Sequence, residues 1–159
     1  MATIVEDGSI VDDANSYVSD ADFDTYATDH GAEVEGVASE LLLNAARYVE
    51  QLPFIGTKQT QAQEMQWPRF NVYIDGFLLG NTEIPKLLIS LQCEVALAID
   101  SGDDPLGTVQ RAVKREKVDV IEVEYANNAA PFAYNLKIKA LERKLTSIRG
   151  GISFQVSRA

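Results

Sequence analysis

The stretch from Pro85 to Gly102 constrains this chain most. Leu88, Leu91, Val95 and Ile99 recur at helical spacing, behind a proline that a first helical position tolerates and ahead of a Ser101-Gly102 stop. This predicts the core helix of the fold. Three more helices can be read around it. Ser19 followed by Asp22 at the third helical position makes a capping-box-like start. Phe23, Tyr26 and Ala27 then share one face before Gly31, which predicts a short helix over about 20–30. A second begins near Val37 to Ser39, carries Leu42, Ala45, Ala46, Val49 and Leu52 at helical spacing, and ends before Pro53. The last runs from about Ala130 or Pro131 to Ser147, with Leu136, Ala140, Leu141, Leu145 and Ile148 apolar, Lys137, Lys139, Arg143 and Lys144 outside, and Gly150-Gly151 as the stop.

The remainder is irregular or β-like. Residues 53–83 lack sustained periodicity and hold Gly56, Pro68, Gly76 and Gly80, yet they also hold Phe54, Trp67, Phe70, Tyr73 and Phe77. A loop that long is pinned by its aromatics or is functional. After the Gly/Asp/Pro linker 101–107, residues 109–125 turn to β character, with Val118, Val120, Val123 and Tyr125 interleaved by Glu122 and Glu124, which predicts a two-stranded ribbon. Ile152-Ser-Phe154-Gln-Val156 alternates like a strand without an obvious partner. The predicted fold is therefore mainly α. It is a bundle of about four helices around Leu42, Val49, Leu88, Leu91, Val95, Leu141 and Leu145, with a protruding two-stranded β-ribbon and an extended C-terminal tail. At 159 residues it reads as one helical domain over 1–149, ribbon 109–125 included, plus a C-terminal extension 150–159.

Side-chain chemistry narrows the function by elimination. One Cys and one His exclude an internal disulfide and the usual zinc sets, and the cysteine usage fits a reducing cytoplasm. No basic N-terminal region with an apolar run follows Met1, and no stretch approaches the roughly 18 apolar residues of a membrane span, which argues against secretion and membrane insertion. The sequence has no phosphate loop followed by Lys, no G-x-G-x-x-G after a strand, no H-E-x-x-H and no G-x-S-x-G. His30, just before Gly31, reads as a helix C-terminal dipole partner, and Cys93 as a small core residue. Asp20-Ala-Asp22-Phe-Asp24 alternates like a calcium loop but has Thr25 where the glycine belongs and Gly31 where the bidentate acid belongs; it reads as an acidic first turn. Asp103-Asp104-Pro105 reads as a turn. The expectation is a non-enzyme with no catalytic residues, no cofactor and no metal.

Charge is the other strong signal. The net charge is −10, and it is polarised along the chain: residues 1–50 carry twelve acids against one base, Arg47, whereas residues 111–159 carry ten bases against five acids. Such polarity suits internal complementarity or head-to-tail contact between copies. Overall acidity argues against duplex DNA, whose binders neutralise phosphates. For single-stranded nucleic acid the nearest candidates are Trp67-Pro-Arg69-Phe70 with Tyr73, and the basic run Arg111, Lys114, Arg115 and Lys117. The basic run also describes a solvated face or a docking site for a neighbour's acidic end.

Several strings taken in order carry a resemblance. They are Glu6-Asp-Gly8, Ala14-Asn-Ser-Tyr-Val-Ser19, Ala45-Ala-Arg-Tyr48, Gln66-Trp-Pro-Arg69, Asp75-Gly76, Ile84-Pro85, Glu94-Val-Ala-Leu97, and Val113-Lys-Arg-Glu-Lys-Val118 with Glu122-Val-Glu-Tyr125. Over nearly its whole length the chain resembles a tailed-phage protein family often labelled "putative DnaT-like single-stranded DNA-binding protein". That family in turn is similar to head-to-tail connector (adaptor, head-completion) proteins. The resemblance implies a structural virion protein of the phage neck, made in the host cytoplasm. It would form a ring of about twelve copies beneath the portal, join head to tail and let DNA pass through an acidic lumen without specific binding. The implied partners are the portal, neighbouring copies and the next neck or tail protein, with no membrane. Ile152, Phe154 and Val156 are the expected portal contact. Arg111, Lys114, Arg115 and Lys117 are expected to meet Asp20, Asp22, Asp24, Glu33 or Glu35 of a neighbour. The alternative is the DnaT-like single-stranded DNA-binding function.

Overall fold

The structure, a computed structural model, describes residues 2–106, 116–118, 121–123 and 136–146. Its helices are α1 (Asp20–Asp29), α2 (Ala38–Val49), α3 (Lys86–Asp100) and α4 (Leu136–Leu145). Between α2 and α3 lie four two-residue strands: β1 (Thr57–Lys58) pairs antiparallel with β2 (Arg69–Phe70), and β3 (Tyr73–Ile74) with β4 (Phe77–Leu78). β5 (Glu116–Val118) and β6 (Ile121–Val123) form the ribbon, in the register Glu116↔Val123, Lys117↔Glu122, Val118↔Ile121. The fold is mostly helical with a β-ribbon, as the periodicity predicts; the short pairs β1–β2 and β3–β4 fall in the segment expected to be irregular.

α3 is the central element. Leu88, Leu91, Cys93, Val95 and Ala96 are all sealed from solvent, and α2 and α4 both pack on it. α2 contributes Leu41, Leu42, Ala45, Ala46 and Val49, and α1 contributes Phe23 and Ala27. The predicted cap of α1 is present: Ser19 Oγ accepts from the Asp22 amide at 3.1 Å and donates to the Asp22 carboxylate at 2.6 Å. His30 closes the helix, its Nδ1–H donating to the Tyr26 carbonyl at 2.8 Å with its ring stacked on Tyr26. Cys93 is a core residue, its thiol pushed up to about 12 chiefly by burial.

The predicted apolar stripe of the fourth helix needs correction at one end. Ile138 and Leu145 are buried and Leu141 is partly buried, but Leu136 is 84% exposed. Ile138 takes the inward place two residues on, because burial follows the helix's phase against α3 and Leu136 stands at its first position. The extra residues expected at both ends of this helix, 131–135 and 147, lie outside the described residues, as does the tail 150–159.

Polar pairs staple the helices together. Tyr26 Oη donates to Glu94 on α3 at 2.6 Å, Tyr48 on α2 donates to Glu142 on α4, and Tyr17 donates to Glu50 at the end of α2. Desolvation, helped by the neighbouring carboxylate, holds all three tyrosine hydroxyls well above their usual range, so they remain donors at any physiological pH. Gln92 sits fully buried on the apolar helix α3. It accepts from the Tyr17 amide at 2.9 Å and donates to Ser16 Oγ at 2.8 Å and the Leu42 carbonyl at 3.0 Å, joining three segments at the centre of the core.

Candidate functional site: an exposed hairpin and an acidic groove

The irregular segment 53–83 divides into a sealed part and an exposed part. In the sealed part Trp67 is completely buried and meets Phe54 edge-on with ring centroids 5.7 Å apart, and the Trp67–Pro68 peptide is cis. Arg69 is only 8% exposed. Its guanidinium donates to the Ile55 carbonyl at 2.8 Å, the Gly56 carbonyl at 2.8 Å, and the carbonyl and Oε1 of Gln66 at 3.1 and 2.9 Å. Buried Gln63 organises the turn before it, accepting from the Gln59 and Thr60 amides and donating to the Met65 and Pro68 carbonyls. Trp67 and Arg69, candidates for contacting single-stranded nucleic acid, are thus structural: no base can stack on a buried indole, and this guanidinium is already committed to three backbone carbonyls and the Gln66 side-chain oxygen.

The exposed part is the β3–β4 hairpin. Asp75 and Gly76 form its two-residue turn with φ of +51° and +87°, the conformation that an Asp-Gly pair favours. Its side chains are apolar and outside: Tyr73 is 60% exposed, Phe77 80% and Leu78 60%. Tyr73 and Leu78 are cross-strand partners on one face, while Phe77 shares the other face with partly buried Ile74. The hairpin leans on α4 through a 3.1 Å ion pair between Lys144 and Asp75, and beside Lys144 the base Arg143 is exposed. α4 carries Lys137, Lys139, Arg143 and Lys144 against the single acid Glu142.

A second surface has the opposite character. A groove of about 850 Å³ runs along α2; among the described residues its lining has Ile4, Ala14, Leu43, Ala46 and Met65 as apolar groups and Asp13, Glu50 and Glu64 as acids, against the one base Arg47. Glu50 is spent internally, accepting from Tyr17 Oη and from the Gln66 amide at 2.8 Å; burial raises its carboxyl above the ordinary value. Asp13 and Glu64 are exposed.

The other predicted site residues are scattered or undescribed. Asp20 accepts from Thr3 Oγ1 at 2.9 Å, Asp22 belongs to the α1 cap, and Asp24 is exposed. Arg111, Lys114 and Arg115 and the tail residues Ile152, Phe154 and Val156 lie outside the described residues. Of Lys117 only the backbone, in β5, is described. Among the described residues no cluster of His, Cys, Asp or Glu could hold a metal ion, and no helix is long and apolar enough to cross a membrane. The hairpin escaped the sequence reading, although Asp75-Gly76 between Ile74 and Phe77 is a hairpin signal.

Set against known proteins, the chain matches along residues 1–159 a family described as "Putative DnaT-like ssDNA binding protein". No curated protein and no solved structure matches.

Proposed function

For a chain that belongs to the family described as "Putative DnaT-like ssDNA binding protein", we propose an architectural role: a head-to-tail connector subunit of a tailed phage, assembling beneath the portal. One observation carries this reading. The described surface presents an unpartnered apolar hairpin, Tyr73, Phe77 and Leu78, on a strongly acidic body, while the side chains best suited to gripping a nucleotide, Trp67 and Arg69, are locked inside the fold. Exposed apolar projections suit protein contacts, and a net charge of −10 suits a surface along which DNA slides without sticking. The sequence resemblance to connector families supports the same reading.

The second reading is single-stranded DNA binding, and the family description supports it more directly than it supports the connector. Its structural basis would be Tyr73 and Phe77 with Arg143 and Lys144 nearby. Against it, Tyr73 and Phe77 lie on opposite faces of the hairpin, so they form no common stacking platform. Co-sedimentation with assembled cognate portal tests the proposal. Pelleting is expected, and a protein that stays in the supernatant with portal while shifting a labelled single-stranded oligonucleotide at low salt would replace the connector by the DNA-binding reading.

A further inference from the structure

We propose that the β3–β4 hairpin of one copy docks in the acidic groove along α2 of the next copy. The inference rests on the connector reading and names the contact that would join its subunits. A hairpin-in-groove contact that is not returned by the same neighbour is head-to-tail, the kind that closes rings or builds open chains.

Their chemistry is complementary. The hairpin brings Phe77 and Leu78, and the accessible apolar lining of the groove includes exposed Ile4 and half-buried Leu43. The hairpin's support, α4, is basic, and its Arg143 is exposed without an ion-pair partner among the described residues. The groove carries Asp13 and Glu64, exposed and likewise without an ion pair there. Arg47, the one base among the groove's described lining residues, also lines a second hollow with Asp103 and Asp104, so acids outnumber bases among the described residues of this face. Asp75, the hairpin's own acid, is neutralised by Lys144. A buried aromatic anchor with a charged rim is the usual anatomy of a specific contact.

Sedimentation velocity over a concentration series up to about 1 mM reads this contact directly. The wild-type protein should self-associate, and Phe77→Ser, whose side chain touches little within its own chain, should weaken association about tenfold or more. Arg143→Glu should weaken it as well, and adding Glu64→Arg to that variant should restore it, which a merely structural role for either residue would not produce. Circular dichroism on each variant checks that it is folded.

A protein that remains monomeric at about 1 mM, association indifferent to Phe77→Ser, or absence of rescue in the charge-swapped double variant each overturns the proposal. If Phe77→Ser keeps self-association but loses pelleting with portal, the hairpin's occupant is the portal. This inference then fails and the connector reading stands. Hairpin-dependent association in a protein that never pellets with portal would do the reverse.

Discussion

Glu6 is almost entirely buried, yet its carboxylate has three well-placed donors: the amides of Gly8 at 2.8 Å, Ile10 at 3.0 Å and Val11 at 3.0 Å. One side chain thereby satisfies the backbone of a tight loop in which Gly8, Ile10 and Asp13 all take positive φ. Glu6→Gln replaces an anionic acceptor with a neutral one that also carries unwanted donors, and should lower the unfolding free energy by about 2 kcal/mol in urea titrations. Gly8→Ala should cost at least as much, about 2 kcal/mol or more, because at φ +103° its Cβ would stand 1.8 Å from the Thr82 carbonyl oxygen. Glu50 makes a pH prediction. Burial raises its carboxyl in the fold above the ordinary 4.5, so the folded state holds its proton more tightly than the unfolded chain. Its contribution to stability is therefore complete below about pH 4.5 and declines as pH rises through the raised value. In Glu50→Gln that part of the pH dependence should vanish from unfolding curves measured between mild acid and neutrality. Cys93, with its thiol near 12 and its side chain sealed, should resist alkylation in the native protein and react once denaturant opens the core.

At the scale of elements, legibility followed periodicity and capping. α1, α2 and α3 announced themselves through apolar spacing, a Ser19 cap and a Pro85 start, and the ribbon through alternation. The segment 53–83 was opaque because residue type does not say which side of the surface a side chain ends on. Trp67 and Arg69 have the composition of a nucleotide site, yet burial and four carbonyl or amide oxygens turn them into core supports. Gln92 was unreadable for a related reason: a polar residue on an apolar helix gains its meaning only from Tyr17, Ser16 and Leu42, which are remote in sequence. Gln92→Leu should cost about 2 kcal/mol by orphaning the buried Tyr17 amide, measured as a lowered denaturation midpoint with unchanged slope. The hairpin behaves oppositely. Phe77→Ser, at a site 80% exposed, should leave stability within about 0.5 kcal/mol.

For the whole molecule the governing feature is separation of charge along a single fold. Acids dominate the first fifty residues and line the α2 groove, and bases gather on α4 and in the sequence beyond Gln110. A contact built on that separation should weaken with salt while its apolar anchor persists. Self-association should therefore fall, without disappearing, between about 50 mM and 500 mM salt in the same sedimentation experiment. A contact insensitive to salt would mean that charge has no part in it. Whether this acidic helical protein builds a ring on a portal is read most directly by native mass spectrometry of portal incubated with excess protein. A discrete complex carrying one copy per portal subunit is expected. Free portal alone, or a scatter of low and variable occupancies, would contradict it.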